Sequence, residues 1–254
     1  MSGPPAIETD SLQKTYGSTT AVDGLDLTVD SATVYGFLGP NGAGKTTTME
    51  MLTGLVEPTG GQARVAGVDS RNRPELVGEI GLLPEEPPLY DDLSGREQLQ
   101  FAADVRSLDW DAVADQALEL VERLGLAPDL DQRIEGYSKG MSQKLAFVQA
   151  VQHDPTVVFL DEPTSGLDPR AAKTLRVLVA ELADSGTTVF LSTHILPVVE
   201  AIADTVGVLH EGRLVAEGPP DELADGATGT DVATGASLED VFLELTSEQP
   251  APDR

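Results

Sequence analysis

Residues 39 to 47 read GPNGAGKTT, directly after the short apolar run TVYGFL (33–38) and at the opening of a predicted helix. This order of buried strand, glycine loop and helix start is the context that the pattern G-x-x-x-x-G-K-[ST] requires. Gly39, Gly42 and Gly44 free the backbone so that its N–H groups can wrap phosphate oxygens. Lys45 can reach the β- and γ-phosphates, and the Thr46 hydroxyl can hold Mg²⁺. A chance glycine-rich turn would not account for the strand before it and the helix after it. The segment is a phosphate-binding loop (P-loop), and it commits the chain to an α/β fold.

The rest of the chain fits that commitment. TVVFLD (156–161) and TTVFLS (187–192) are two more short apolar runs rich in β-branched residues, suited to strands buried on both faces of a largely parallel sheet. IETDSLQKTY (7–16) and LDLTVD (25–30) alternate with period two and read as half-buried antiparallel strands. TVGVLHEGRLVAEG (205–218) reads as a hairpin turning at Glu211 and Gly212. Between the first two buried runs, residues 94 to 153 are helical in pattern, with Gly125 as a helix stop. The expectation is a P-loop core with a mostly parallel sheet, an antiparallel β subdomain near the N-terminus and an inserted helical subdomain at about 89–155. This domain covers 1–224. A Gly-, Ala-, Thr- and Asp-rich linker follows, with SLEDVFLELT as a short amphipathic C-terminal helix.

Phosphate chemistry needs an acidic metal partner and a group that positions water. Asp161 ends a buried run, where α/β sheets bind ligands, and can hold Mg²⁺. Glu162 follows at once and can orient and partly deprotonate an attacking water. Paired acids at a strand end are often only solvated turn residues, but the apolar run before them and the P-loop upstream favour the chemical reading. His194 ends FLSTH at the same sheet edge and can donate to a γ-phosphate. His153 and His210 have no such setting. A further anion site is legible in GYSKGMSQKL (136–145), where Ser138 can cap a helix and Gly140 lets a ligand approach the backbone.

Composition limits the partners. The 254 residues carry 43 acidic against 16 basic side chains, a net charge of −27. Such a surface repels nucleic acid. Lysine occurs only at 14, 45, 139, 144 and 173. An acidic, lysine-poor surface suits a very salty cytoplasm, where repulsion is screened within a few ångströms. There is no cysteine, hence no disulfide or thiolate chemistry. MSGPPAIETD lacks the basic and apolar regions of a signal peptide, and TTVFLSTHILPVV (187–199) is too short and polar to span a bilayer. A membrane role is therefore expected to need a separate partner.

In order along the chain, Tyr16, the P-loop, YSKGM (137–141), VVFLDEP (157–163), SGLD (165–168) and His194 resemble the ATP-binding subunit of an ABC transporter. The resemblance covers about residues 7 to 218. It implies that Tyr16 stacks on adenine with Val22 near it. Gly39, Pro40, Asn41, Gly42, Ala43, Gly44, Lys45, Thr46 and Thr47 would hold phosphates and Mg²⁺. It makes Asp161 the magnesium aspartate, Glu162 the catalytic glutamate, His194 the switch histidine and Asp168 part of the loop linking two nucleotide sites. It also implies a head-to-tail pair of subunits, in which Ser138 and Gly140 hold the γ-phosphate of the partner's ATP, and a membrane-spanning permease.

Two departures from the family pattern matter. Tyr137, Lys139 and Met141 replace three members of the usual Leu-Ser-Gly-Gly-Gln, and LLPEEPPLY places Glu85, or within one residue Glu86, where a glutamine is usual. A carboxylate can still bind magnesium but adds negative charge near ATP. Both departures, with LEDVFLEL, are similar to the exporter-type subgroup that serves drug, antibiotic or ion efflux. The alternatives are a soluble ABC ATPase of translation or DNA repair, which fits a compact unit of charge −27 poorly, and a P-loop switch protein or kinase. In the last, the signature and SGLD would have no task.

Overall fold

The computed structural model describes residues 4–226, 238, 239, 242 and 243. The chain opens with β1 (Ile7–Tyr16) and β2 (Thr19–Val29), then β3 (Val34–Leu38), α1 (Lys45–Leu52), β4 (Gly60–Val65) and β5 (Val68–Asp69). Next come α2 (Arg73–Glu79), β6 (Ile80–Leu83), α3 (Gly95–Val105), α4 (Trp110–Arg123) and α5 (Lys139–Val151). The last part is β7 (Val157–Asp161), α6 (Pro169–Asp184), β8 (Thr188–Thr193), α7 (Leu196–Ile202), β9 (Thr205–His210), β10 (Arg213–Gly218) and α8 (Pro220–Gly226).

Two sheets result. An antiparallel one has the order β2-β1-β4-β5, and the larger one the order β10-β9-β3-β8-β7-β6. Within the larger sheet only the edge pair β10–β9 is antiparallel. The chemical reason lies in the runs themselves. Every residue of β3, β7 and β8 is buried, so these strands need cover on both faces. Their alternate side chains divide between two cores. Tyr35, Phe37, Phe159 and Phe190 face the antiparallel sheet, with Phe190 against the other three rings at 5.1 to 5.6 Å. Val158, Leu160, Val189 and Leu191 face the helical side with Leu145, Phe147 and Leu175. In β2 the period-two pattern buries Leu25, Leu27 and Val29 and leaves Asp26 and Thr28 in solvent.

Local signals set the helix ends. Ser94 and Glu97 form a reciprocal capping box at the start of α3, and Asp109 caps α4. Gly125 follows α4 with φ +67°, the left-handed residue that stops a helix. Asp168 caps α6 ahead of Pro169 at its first position.

Residues 94–153 hold α3, α4 and α5, as their pattern predicts. β4, β5 and β6 lie between the phosphate loop and that stretch, and the four residues IGLL of β6 form the edge of the parallel sheet. The boundary expected at 224 falls inside α8, so residues 225 and 226 are helical. The rest of the expected linker lies outside the described residues. Of the expected C-terminal helix only Leu238, Glu239, Phe242 and Leu243 are described, and they are helical. No helix among the described residues is long and apolar enough to cross a membrane.

Candidate functional site: a phosphate-binding loop at the sheet edge

Parallel register gathers the site. Leu38 pairs with Thr193, and Asp161 with Ser192. The loops that leave β3, β7 and β8 therefore emerge side by side at the carboxyl edge of one sheet, where such folds bind ligands. They enclose a cavity of about 370 Å³, lined by Ala21, Asn41, Gly42, Gly44, Lys45, Thr46, Thr47, Glu85, Asp161, Glu162 and His194.

The loop leads straight into α1, whose first residue is Lys45. Gly44 precedes it at φ +107°, and a side chain there would strike the Ala21 carbonyl. Only glycine fits such a position. The Lys45 ammonium curls back to donate to the carbonyls of Gly39 (2.6 Å) and Pro40 (3.1 Å). Burial pulls its pKa down, and the charges of Glu162, Asp161 and Glu85 oppose that. Asn41 and Gly42 lie at the mouth, and Ala43 is tucked beneath, its carbonyl accepting from the Gly212 N–H at 2.9 Å.

Across the cavity the Thr46 hydroxyl donates to Asp161 Oδ2 at 3.0 Å. Burial raises the Asp161 carboxyl above its usual range, with Glu162 adding to the rise. A hydroxyl and a carboxylate at this spacing are hard oxygen donors, the kind that suits Mg²⁺.

Glu162 adopts φ +46°, a left-handed backbone that costs on the order of 1 kcal/mol or more in a residue with a side chain. Its N–H donates to the Ser192 carbonyl at 2.9 Å. Its carboxylate is held by three donors. Thr193 Oγ1 donates to Oε2 (2.9 Å), the His194 N–H donates to Oε1 (3.0 Å), and the His194 ring Nδ1 lies 2.6 Å from Oε1. The buried Gln143 amide of α5 donates to the Glu162 carbonyl at 3.4 Å.

The other expected residues lie outside this cavity. Tyr16 ends β1 with its ring half exposed and Lys14 Nζ 5.0 Å above it. Ser138 caps α5 by accepting the Met141 N–H at 3.3 Å and is exposed. Asp168 caps α6, accepting from Ala171 (3.0 Å) and Arg170 (2.9 Å), and these bonds hold its carboxyl below the usual range.

Three expected residues have neighbours that the spacing alone does not give. Val22 is fully buried behind Gly44 and supports the loop from beneath, and its neighbour Ala21 lines the cavity. Of the two adjacent acids, Glu85 lines the cavity and Glu86 does not. A side chain at Gly140 would come within 2.7 Å of the chain's own Gly166 carbonyl. Close packing of α5 on the loop after Glu162 therefore already demands glycine there, with or without a ligand. Thr193 and Gln143 went unread in the sequence. The hydroxyl just before His194 is the one signal that points to the first.

A glycine loop from a buried strand into a helix, with two carboxylates and a histidine at neighbouring strand ends, defines a P-loop protein built to bind and cleave a nucleoside triphosphate. The chain matches the family model described as ABC transporter over residues 22–165. It is 42% identical over 219 residues to the daunorubicin/doxorubicin resistance ATP-binding protein DrrA of Streptomyces peucetius, covering 86% of this chain and 66% of that protein. It is 42% identical over 219 residues to the bacitracin transport ATP-binding protein BcrA of Bacillus licheniformis, with 85% and 71% covered. The match thus spans about two thirds of these relatives' length. A solved structure described as the ATP binding subunit of an ABC transporter superposes with TM-score 0.87 at 31% identity, covering 95% of this chain and all of that one. The chain belongs to the ABC transporter family, as an ATP-binding, ATP-hydrolysing subunit.

Proposed function

We propose that this subunit powers an exporter by closing on a second copy of itself around ATP and Mg²⁺ and opening again after hydrolysis. Export is the direction that suits the likeness to proteins named for daunorubicin/doxorubicin resistance and bacitracin transport. In this reading the N–H groups of the loop and Lys45 hold the phosphates, and Tyr16 packs on the base. Thr46 and Asp161 would hold the magnesium ion, with Glu85 within the same cavity, and the ion would neutralise phosphate charge. Glu162 orients and deprotonates the attacking water, and His194 leaves it to donate to the γ-phosphate.

The observation that carries the pairing is the place of Ser138. It heads a helix with its hydroxyl in solvent, outside its own chain's cavity. A phosphate that meets Ser138 therefore comes from a second copy, and Asp168 would lie at the same junction. A membrane-spanning permease is the remaining partner, and it places the subunit on the cytoplasmic membrane face. Beside the Glu85 loop, Tyr90 meets Phe101 edge-on at 5.1 Å, with both rings and Val105 exposed, and this apolar edge suits such a partner. An RNA- or DNA-bound ATPase is disfavoured by the charge of −27.

The test traps the pair. Glu162→Gln protein with ATP and Mg²⁺ should run as a dimer on size exclusion, and a cross-linker at residue 138 should reach the nucleotide bound to the other copy. A monomer at high concentration, or cross-linking only within one chain, would overturn the pairing.

A further inference from the structure

Thr193 is the last residue of β8 and is fully buried, although it carries a hydroxyl. A buried hydroxyl has to be satisfied, and this one is satisfied in both directions. Its oxygen accepts the Ile195 N–H at 3.1 Å, and its proton goes to Glu162 Oε2 at 2.9 Å. The first bond limits the hydroxyl's rotation and so aims the second.

The three donors on the Glu162 carboxylate are not equal. Oε1 depends on His194, whose side chain is 52% exposed and so has solvent rather than packing around much of its ring. Oε2 depends on Thr193, locked in the sheet with no exposed surface. When the imidazole turns away, Thr193 and the His194 N–H remain. The fixed part of the clamp is therefore the backbone N–H on Oε1 and, as its one fixed side chain, the Thr193 hydroxyl on Oε2. The hydroxyl holds a side chain that springs from a left-handed backbone.

We propose that Thr193 is the positioning residue of the hydrolytic base. It keeps the Glu162 carboxylate facing the γ-phosphate position throughout the cycle and touches neither nucleotide nor water itself. This rests on the reading of Glu162 as the base.

Thr193→Val keeps the shape and removes the hydroxyl. The expected result is a fall in kcat of roughly 10- to 100-fold, the scale of a misplaced catalytic group, with KM for ATP and equilibrium ATP affinity within about twofold of the parent. Thr193→Ser restores the hydroxyl and should recover most of the rate, and Thr193→Ala should behave like valine if valine disturbs folding. A second comparison separates positioning from general damage. In a Glu162→Gln background, Thr193→Val should leave the residual rate unchanged, because the group it positions is gone. Parent-like turnover of Thr193→Val alongside an inactive Glu162→Gln would overturn the role of Thr193 alone. Parent-like turnover of Glu162→Gln would overturn the reading of the base. Equal further losses in both backgrounds, or no recovery with serine, would make Thr193 a packing residue only.

Discussion

The Thr46 hydroxyl, one residue into α1, lies 3.0 Å from the Asp161 carboxylate at the end of β7. Two segments far apart in sequence thus share one oxygen cluster at the foot of the phosphate loop, with Glu162 next in the chain. Metal, phosphate and base chemistry are laid out within one cavity, and each component can be removed separately.

Removing the base should leave binding intact. Glu162→Gln is expected to bind ATP with Mg²⁺ as the parent does and to lose about 10²- to 10⁴-fold in kcat, the usual range for a general base. Lys45→Ala should lose binding itself. Fluorescent-nucleotide titration and phosphate release measure the two, and parent-like turnover by Glu162→Gln would remove it from the chemistry.

Glu85 adds a third carboxylate to a cavity that already holds Asp161 and Glu162. Without metal, each of these charges repels a triphosphate. Glu85→Gln should therefore tighten ATP binding in EDTA by about five- to tenfold, the equivalent of roughly 1 to 1.4 kcal/mol of relieved repulsion. Unchanged or weaker metal-free affinity would show that Glu85 does not face the phosphates.

His153 is partly buried, with Nε2 3.0 Å from the Ile80 carbonyl. Burial, with Arg106 nearby and against the smaller pulls of the Ile80 carbonyl and Asp154, lowers its pKa from 6.5 to about 4. A histidine kept neutral in the fold takes up a proton more readily when unfolded. Its contribution is present above pH 6.5 and is lost as pH falls from 6.5 to about 4. Melting curves across that window should show His153→Gln losing less stability than the parent. Parallel curves would contradict the assignment.

Legibility in the sequence followed the range of the signal. The P-loop, the three apolar strands and the acidic pair are local patterns, and the residues placed at the cavity from them all line or support it. β6 is hidden because IGLL is too short to show a period. α6 begins directly after SGLD, and Asp168-Pro169 is its local start signal. Thr193 and the need for glycine at 140 were out of reach for another reason. One depends on the register of β7 against β8 and the other on a carbonyl of a different loop. No residue spacing encodes either.

The charge of −27 also makes a prediction. If the acidic, lysine-poor surface is an adaptation to salt, the melting temperature should rise as KCl approaches molar levels, where the screening length is about 3 Å. A flat or falling series would leave docking to a basic partner as the reason for the charge.

The central claim is that each nucleotide is cleaved between two copies, and mixing two inactive proteins tests it most directly. Lys45→Ala breaks the phosphate loop. Ser138→Asp is the better lesion on the other side, because aspartate preserves the cap of α5 while setting a carboxylate against the partner's phosphate. A change at Gly140 would also press on Gly166 in its own chain. Each variant alone has two broken sites. A mixed dimer gathers both lesions in one site and leaves the other whole. An equal mixture should recover up to about one quarter of the parent ATPase rate, since about half the dimers are mixed and each has one intact site of two. No recovery at any ratio, with mixed dimers shown to form, would contradict cleavage between two copies.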